Sequence, residues 1–191
     1  MNKTLITLSA LSALAFSPLA QAQAATYTID PTHTFVNFET KHYGTSTLRG
    51  RFDKKEGSVS FDKAARTGKV DITIDTTSVS TGVAPLDGHL KSADFFNATE
   101  FPTAKFSGDK FVSEGGKLTS VSGTLTFLGK TQPVTLTASN FNCYTNPRLQ
   151  REVCGGDFET SILRTSFGNS FGVPGIPDSI RLLIQVEAIK Q

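Results

Sequence analysis

The chain has no tryptophan, one methionine, two cysteines and three histidines in 191 residues. That scarcity narrows its chemistry at once. His33, His42 and His89 are scattered, and neither H-E-x-x-H nor a second cysteine pair occurs. His33 and His42 sit on one strand region at an odd separation, which puts them on opposite faces unless a bulge intervenes. Spacing alone therefore makes no shared metal site, and no metal or cofactor is expected. P-loop and dinucleotide signatures are missing too. Asp30, Glu39, Asp53, Glu56 and Asp94 show no pairing that marks an acid and a base. Gly168-Asn-Ser-Phe-Gly172 fits G-x-S-x-G only in letters: Val173-Pro-Gly-Ile-Pro177 cannot start the long helix a nucleophile elbow needs, and the last histidine, His89, lies upstream. The chain is thus not read as an enzyme. An excess of one charge is also lacking, and Lys and Arg are not clustered, which removes the electrostatic case for nucleic acid or an acidic membrane surface. No repeat, low-complexity tract or linker divides the chain.

One apolar run stands out, and it is N-terminal. Lys3 precedes Leu5 to Phe16, Ser17-Pro18 breaks the run, and small residues follow as Ala20-Gln-Ala22 and Ala22-Gln-Ala24. That order is a cleavable secretory signal, with cleavage expected after Ala22 or Ala24. The run is about a dozen residues, whereas a spanning helix needs roughly 20, and no other stretch is long enough, so no membrane span is expected in the mature chain. The predicted organisation is a signal at 1–24 and one domain at 25–191. Export, to the periplasm in a Gram-negative source, makes a disulfide between Cys143 and Cys154 the natural fate of the pair.

The mature part is rich in Thr, Val, Ile and Phe, with Gly, Asp, Asn and Pro at turn-like intervals. Gly68 to Asp75 alternates, with Val70, Ile72 and Ile74 on one face and Asp71, Thr73 and Asp75 on the other. Ser179 to Ala188 repeats the period with Ile180, Leu182, Ile184 and Val186, as do Val134 with Leu136 and Leu125 with Phe127. Further strands are predicted over Tyr27 to Tyr43 (bent near Pro31), Thr45 to Phe52, Ser58 to Asp62, Phe101 to Phe111 and Asp157 to Thr165. A short helix is predicted over Pro85 to Phe95, where Leu86, Leu90 and Ala93 recur at helical spacing. Strands with one apolar face each, and little helix, make a sandwich or a closed barrel. The barrel is favoured because it points those faces at one another and removes edges.

Several local patterns then line up. Tyr27-Thr-Ile-Asp30 before His33-Thr-Phe-Val-Asn-Phe38, His42-Tyr-Gly44, Gly50-Arg-Phe52, Asp87-Gly-His-Leu-Lys-Ser-Ala-Asp-Phe-Phe96, Phe101-Pro-Thr-Ala-Lys-Phe106, Gly123-Thr-Leu-Thr-Phe-Leu-Gly129, Thr131-Gln-Pro-Val-Thr-Leu136 and Val186-Glu-Ala188 resemble, in order and spacing, the YceI-like proteins. The resemblance implies an all-β, eight-stranded, largely antiparallel lipocalin-like barrel with a short helix near its mouth. It also implies a long apolar lumen that takes an isoprenoid or fatty-acyl lipid, and a homodimer is compatible with it. By alternation, the lumen candidates are Val36, Phe38, Val70, Ile72, Ile74, Phe106, Leu125, Phe127, Val134, Leu136, Ile180, Leu182, Ile184 and Val186. Plain core packing remains open for each of them, as does an interior simply filled by Phe. The alternative role is a redox accessory or enzyme presenting a quinone-like ligand, for which His33 or His42 would matter. Asn142 to Cys154 departs from the simplest family pattern as a disulfide-closed hairpin tip or loop.

Overall fold

A computed structural model describes residues 24–191. The expected signal therefore lies, Ala24 apart, outside the described residues. The elements are β1 (Ala25–Ile29), β2 (Phe35–His42), β3 (Ser46–Phe52), β4 (Lys55–Asp62), β5 (Thr67–Asp75), β6 (Val79–Ser80), α1 (Ala84–Lys91), β7 (Thr103–Glu114), β8 (Lys117–Phe127), β9 (Lys130–Asn146), β10 (Arg151–Leu163) and β11 (Ser179–Lys190). All strand pairings are antiparallel, in the order β1-β4-β5-β7-β8-β9-β10-β11, and β11 returns to β1 to close an eight-stranded barrel. The remaining strands continue this ring. β2 prolongs β1, β3 leads into β4, and β6 prolongs β5, with β2 pairing β11 and β3, and β3 pairing β6.

The interruptions have local causes. Asp30 accepts from Thr32 N at 2.8 Å and from Thr32 Oγ1 at 2.6 Å, which turns the chain at Pro31 between β1 and β2. Asp75 does the same for Thr77, at 2.8 and 2.6 Å, between β5 and β6. Short polar side chains that bond the backbone two residues on end a ladder in this way. The middle break, at Asp53-Lys54, is stitched to the third: Asp53 N and Lys54 N donate to Ser78 O and Oγ, and Asp75 N donates to Lys54 O. The predicted strand from Tyr27 to Tyr43 is thus two strands, bent where proline was expected to bend it.

Beyond these breaks the wall is not all sheet. Among the described residues, no strand pairs with the outer side of β6. The gap before β7 is filled by α1 and the turns that follow it. Pro lies in the first turn of α1, where its missing N–H costs nothing. The helix is shorter than the predicted Pro85 to Phe95, because Ser92 caps it by donating to the His89 carbonyl.

The inward rows form three apolar clusters. One gathers Val36, Phe38, Phe52, Ile74, Val79, Leu90 and Ala104, a second Phe106, Leu118, Val121, Leu125, Val134, Phe158 and Phe167, and a third Tyr27, Ile29, Phe61, Cys154 and Ala188. Cys143 and Cys154 face each other across the β9–β10 ladder and are bonded, with S–S at 2.05 Å. The segment between them is the tip of that hairpin, at the end of the barrel away from α1.

Candidate functional site

The clusters do not fill the barrel. A cavity of about 610 Å³ occupies the half walled by α1, and a smaller one of about 110 Å³ occupies the half near the disulfide. Val36 borders both. An interior simply packed by phenylalanine is therefore excluded.

Of the residues predicted to face the lumen, Phe38, Ile74, Leu125, Phe127, Ile180 and Leu182 join Val36 on the larger cavity. Val70, Ile72, Phe106, Leu136, Ile184 and Val186 border the smaller one. Val134 faces inward but is buried in the second cluster and borders neither cavity, so it is core. Alternation picked fourteen side chains, and each of them faces the interior. It could not tell a side chain that meets a void from one that meets a neighbour.

The sequence reading set a short helix near the mouth, where α1 lies, but did not foresee the whole rim, which three segments build. The first is the β2–β3 tip with His42, Tyr43 and Ser46. The second is α1 and its sequel, with Leu86, His89, Leu90, Phe95 and Phe96. The third is the loop after β10, with Asn169, Phe171 and Ile176. The segments are tied together. Tyr43 N donates to Gly175 O at 2.9 Å. Tyr43's ring lies where a Gly175 side chain would stand, at 2.5 Å from an ideal Cβ. Asn169 Nδ2 donates to Phe95 O at 2.6 Å. His89, Phe95 and Phe171 meet edge to face, with centroids 4.9–5.7 Å apart. A chain of rings, Phe38, Phe52, Phe96, Phe127 and Phe167, continues along the wall at 5.4–6.0 Å. The three segments meet only through contacts between residues distant in sequence, such as Tyr43 with Gly175 and Asn169 with Phe95, so no local pattern announced their union.

Arg164 holds the third segment. Its side chain is buried, and it donates from Nε to Pro177 O, from Nη1 to Asn169 Oδ1 and Phe171 O, and from Nη2 to Ile176 O, at 2.7–3.0 Å. Burial pulls its pKa down, and Asp178 works against that. Gly168 to Gly172 belongs to this loop. Ser170 is exposed, and no helix follows, so the G-x-S-x-G letters form no elbow.

The histidines separate, but through the break between β1 and β2 rather than across the faces of one strand. His42 is on the inward row with Val36 and Phe38 and borders the larger cavity. His33 is in the break, exposed, with Nδ1 2.8 Å from Asp30 Oδ2. No group of three His, Cys, Asp or Glu among the described residues could hold a metal ion. No helix among them is long and apolar enough to cross a membrane.

The fold and cavity define a closed antiparallel barrel that encloses an apolar chamber with a helix-flanked mouth, the build of a small-ligand container. Residues 27–188 match the YceI-like domain, and the chain belongs to that family. It is 37% identical over 194 residues to Protein YceI of Shigella flexneri and, equally, to a UPF0312 protein of Pseudomonas aeruginosa, with 100% of each chain covered. Among solved structures, the Campylobacter jejuni YCEI protein is 29% identical, with a TM-score of 0.71 over 79% of this chain and 90% of that one. Burkholderia cenocepacia BcnA is 23% identical, with a TM-score of 0.69 over 83% and 98%. A polyisoprenoid binding domain from Saccharophagus degradans is 18% identical, with a TM-score of 0.64 over 88% and 100%. These last two share the fold.

Proposed function

We propose that the mature protein, exported to the periplasm, binds and sequesters an isoprenoid or other long-chain lipid in its lumen and does not transform it. The larger cavity carries this reading: about 610 Å³, walled almost wholly by apolar side chains and open at the α1 end. Drug-sized and lipid ligands occupy sites of roughly 300–1,000 Å³. Each buried CH₂ group contributes about 0.8 kcal/mol, so several isoprene units suffice for tight binding. The Saccharophagus relative's named ligand class and the disulfide, which suits an oxidising compartment, support the same reading. The test is native mass spectrometry of the gently extracted protein, followed by uptake of long-chain isoprenoids by delipidated protein. A bound lipid is expected; no bound lipid and no uptake would sink the proposal. His42 on the lumen wall favours one second reading, presentation of a quinone-like ligand to a redox partner. In that case His42→Ala abolishes activity while lipid uptake survives, and if it changes nothing His42 is structural.

A further inference from the structure

The larger cavity is apolar except near its mouth, where two buried polar groups have unused capacity. A guanidinium carries five N–H donors. Arg164 spends four of them on neutral acceptors, namely one side-chain amide oxygen and three backbone carbonyls, leaving one Nη2–H. The residue is only 5% exposed, borders the cavity and, among the described residues, has no carboxylate within salt-bridge distance. A buried cation without a counter-ion is rare, because removing it from water is costly unless a charge or strong acceptor replaces the water. The one acid that acts on it is Asp178, and both Asp178 oxygens are already engaged by Thr165, at 2.8 and 2.7 Å.

Thr40 is the second group. Its hydroxyl is the one buried side-chain polar atom among the described residues without a hydrogen-bond partner. The residue borders the same cavity, one inward step toward the mouth from Phe38. Ile162 stands one such step from Thr160, which pairs with Leu182 as Phe38 does, and Arg164 is the next inward residue beyond Ile162. Thr40 and Arg164 therefore belong to the mouthward rows of one wall. A turn about the Thr40 Cα–Cβ bond exchanges hydroxyl for methyl at the lumen surface, a change between ordinary staggered rotamers.

We propose that the mouth end of the larger cavity is a headgroup subsite for an acidic amphiphile, whose anionic oxygens take the free Arg164 N–H and the Thr40 hydroxyl while its tail fills the apolar remainder of that cavity, in the direction of the disulfide end. The inference rests on the lumen being a lipid site and adds the chemistry and direction of the ligand. Carboxylate and phosphate heads share that chemistry, since either supplies charged acceptor oxygens to a guanidinium. The tail gains nothing from Arg164, so the subsite acts by discriminating between heads.

The experiment compares matched ligands on the delipidated full mature protein: hexadecanoic acid against hexadecan-1-ol, and farnesyl phosphate against farnesol, all at neutral pH. Each acid is expected to bind at least ten-fold tighter than its alcohol, and the pair with the larger ratio identifies the head. Alcohols that bind as tightly as the acids would overturn the subsite while leaving the lipid reading intact. If none of the four binds, the lipid reading itself fails. Arg164→Gln should close the gap in protein whose circular dichroism is unchanged; a gap that persists there overturns the assignment to Arg164. Because Arg164 also holds the 168–178 loop, Asp178→Asn provides an independent arm. It removes the charge that partly offsets the guanidinium and keeps the side chain's size, so the acid-to-alcohol ratio should rise, and an unchanged ratio counts against the proposal. Thr40→Val should lower acid affinity several-fold and leave hexadecanol affinity within two-fold. Equal losses for both ligands would remove Thr40 from the subsite.

Discussion

Gly50 has no side chain because Phe38 occupies the space one would need: an ideal Cβ there stands 2.2 Å from the Phe38 ring. Gly50→Val should push that ring off the wall into the chamber. Overpacking of this kind costs about 1–3 kcal/mol, so a lower Tm and a smaller lipid capacity are expected together, read by calorimetry and lipid titration. Thr40 works the other way. An unpaired buried hydroxyl costs about 1–3 kcal/mol, so lipid-free Thr40→Val should match or exceed the parent in urea denaturation. At the β1–β2 break, burial pushes Asp30 up, but hydrogen bonds from Thr32 and His33 outweigh it and bring its pKa from 3.8 down to about 2. His33 is raised from 6.5, chiefly by its hydrogen bond to Asp30. A lowered acid stabilises the fold above its unfolded value and loses that contribution as pH falls through the folded one. A raised imidazole stabilises below its unfolded value and loses that as pH rises. The pair is thus fully stabilising between about pH 4 and 6.5. A small fall in Tm above that range is expected, and His33→Gln should flatten it. At this scale the sequence was legible in direction only. Alternation gave the inward side of Val134 and Leu125 alike, yet one is core and the other borders the chamber.

The β9–β10 hairpin carries its disulfide at the end remote from α1, where Cys154 borders only the smaller cavity. Closing so short a loop removes roughly 3 kcal/mol of unfolded-chain entropy in the chain-entropy picture. The double substitution Cys143→Ser with Cys154→Ser should therefore lower stability by up to about 3 kcal/mol. It should leave lipid affinity within two-fold, because the mouth is elsewhere; equilibrium denaturation and ligand titration separate the two effects. Elements were readable where one face is apolar, as in β5 and β11. They blurred where that pattern lapses. β10 begins at Arg151, well before the predicted Asp157, because Gly155 and Gly156 interrupt the alternation. Both positions require glycine: a Cβ would stand 2.1 Å from Val186 O at the first and 2.0 Å from Asn140 O at the second. β4 likewise begins at Lys55 rather than Ser58, its polar start hidden among charges beside the break at Asp53-Lys54.

Taken whole, the molecule is a ring whose barrel architecture was legible from its one-faced strands, while of its mouth only the short helix was. Period-two faces demand a closed interior, but a rim made from residues 42–46, 86–96 and 169–176 has no local signature. Ligand binding should couple to global stability through mass action: at a free concentration 100 times Kd, a lipid that binds only the folded state adds about 2.7 kcal/mol. Delipidated protein should accordingly melt lower than protein reloaded with its lipid, and equal melting points would argue against an internal site.

The gap beside β6 gives the ring one panel that no ladder holds. Along the strands, opening means unzipping paired backbone. At α1 and the turns after it, the closure is side-chain packing and a few loop hydrogen bonds such as Asn169 to Phe95. Local opening draws on such weakly held stretches first. Amides from 92 to 101 should exchange with solvent ahead of those in β8 to β11. That panel is where the wall should yield first, while the hoop of strands stays fastened.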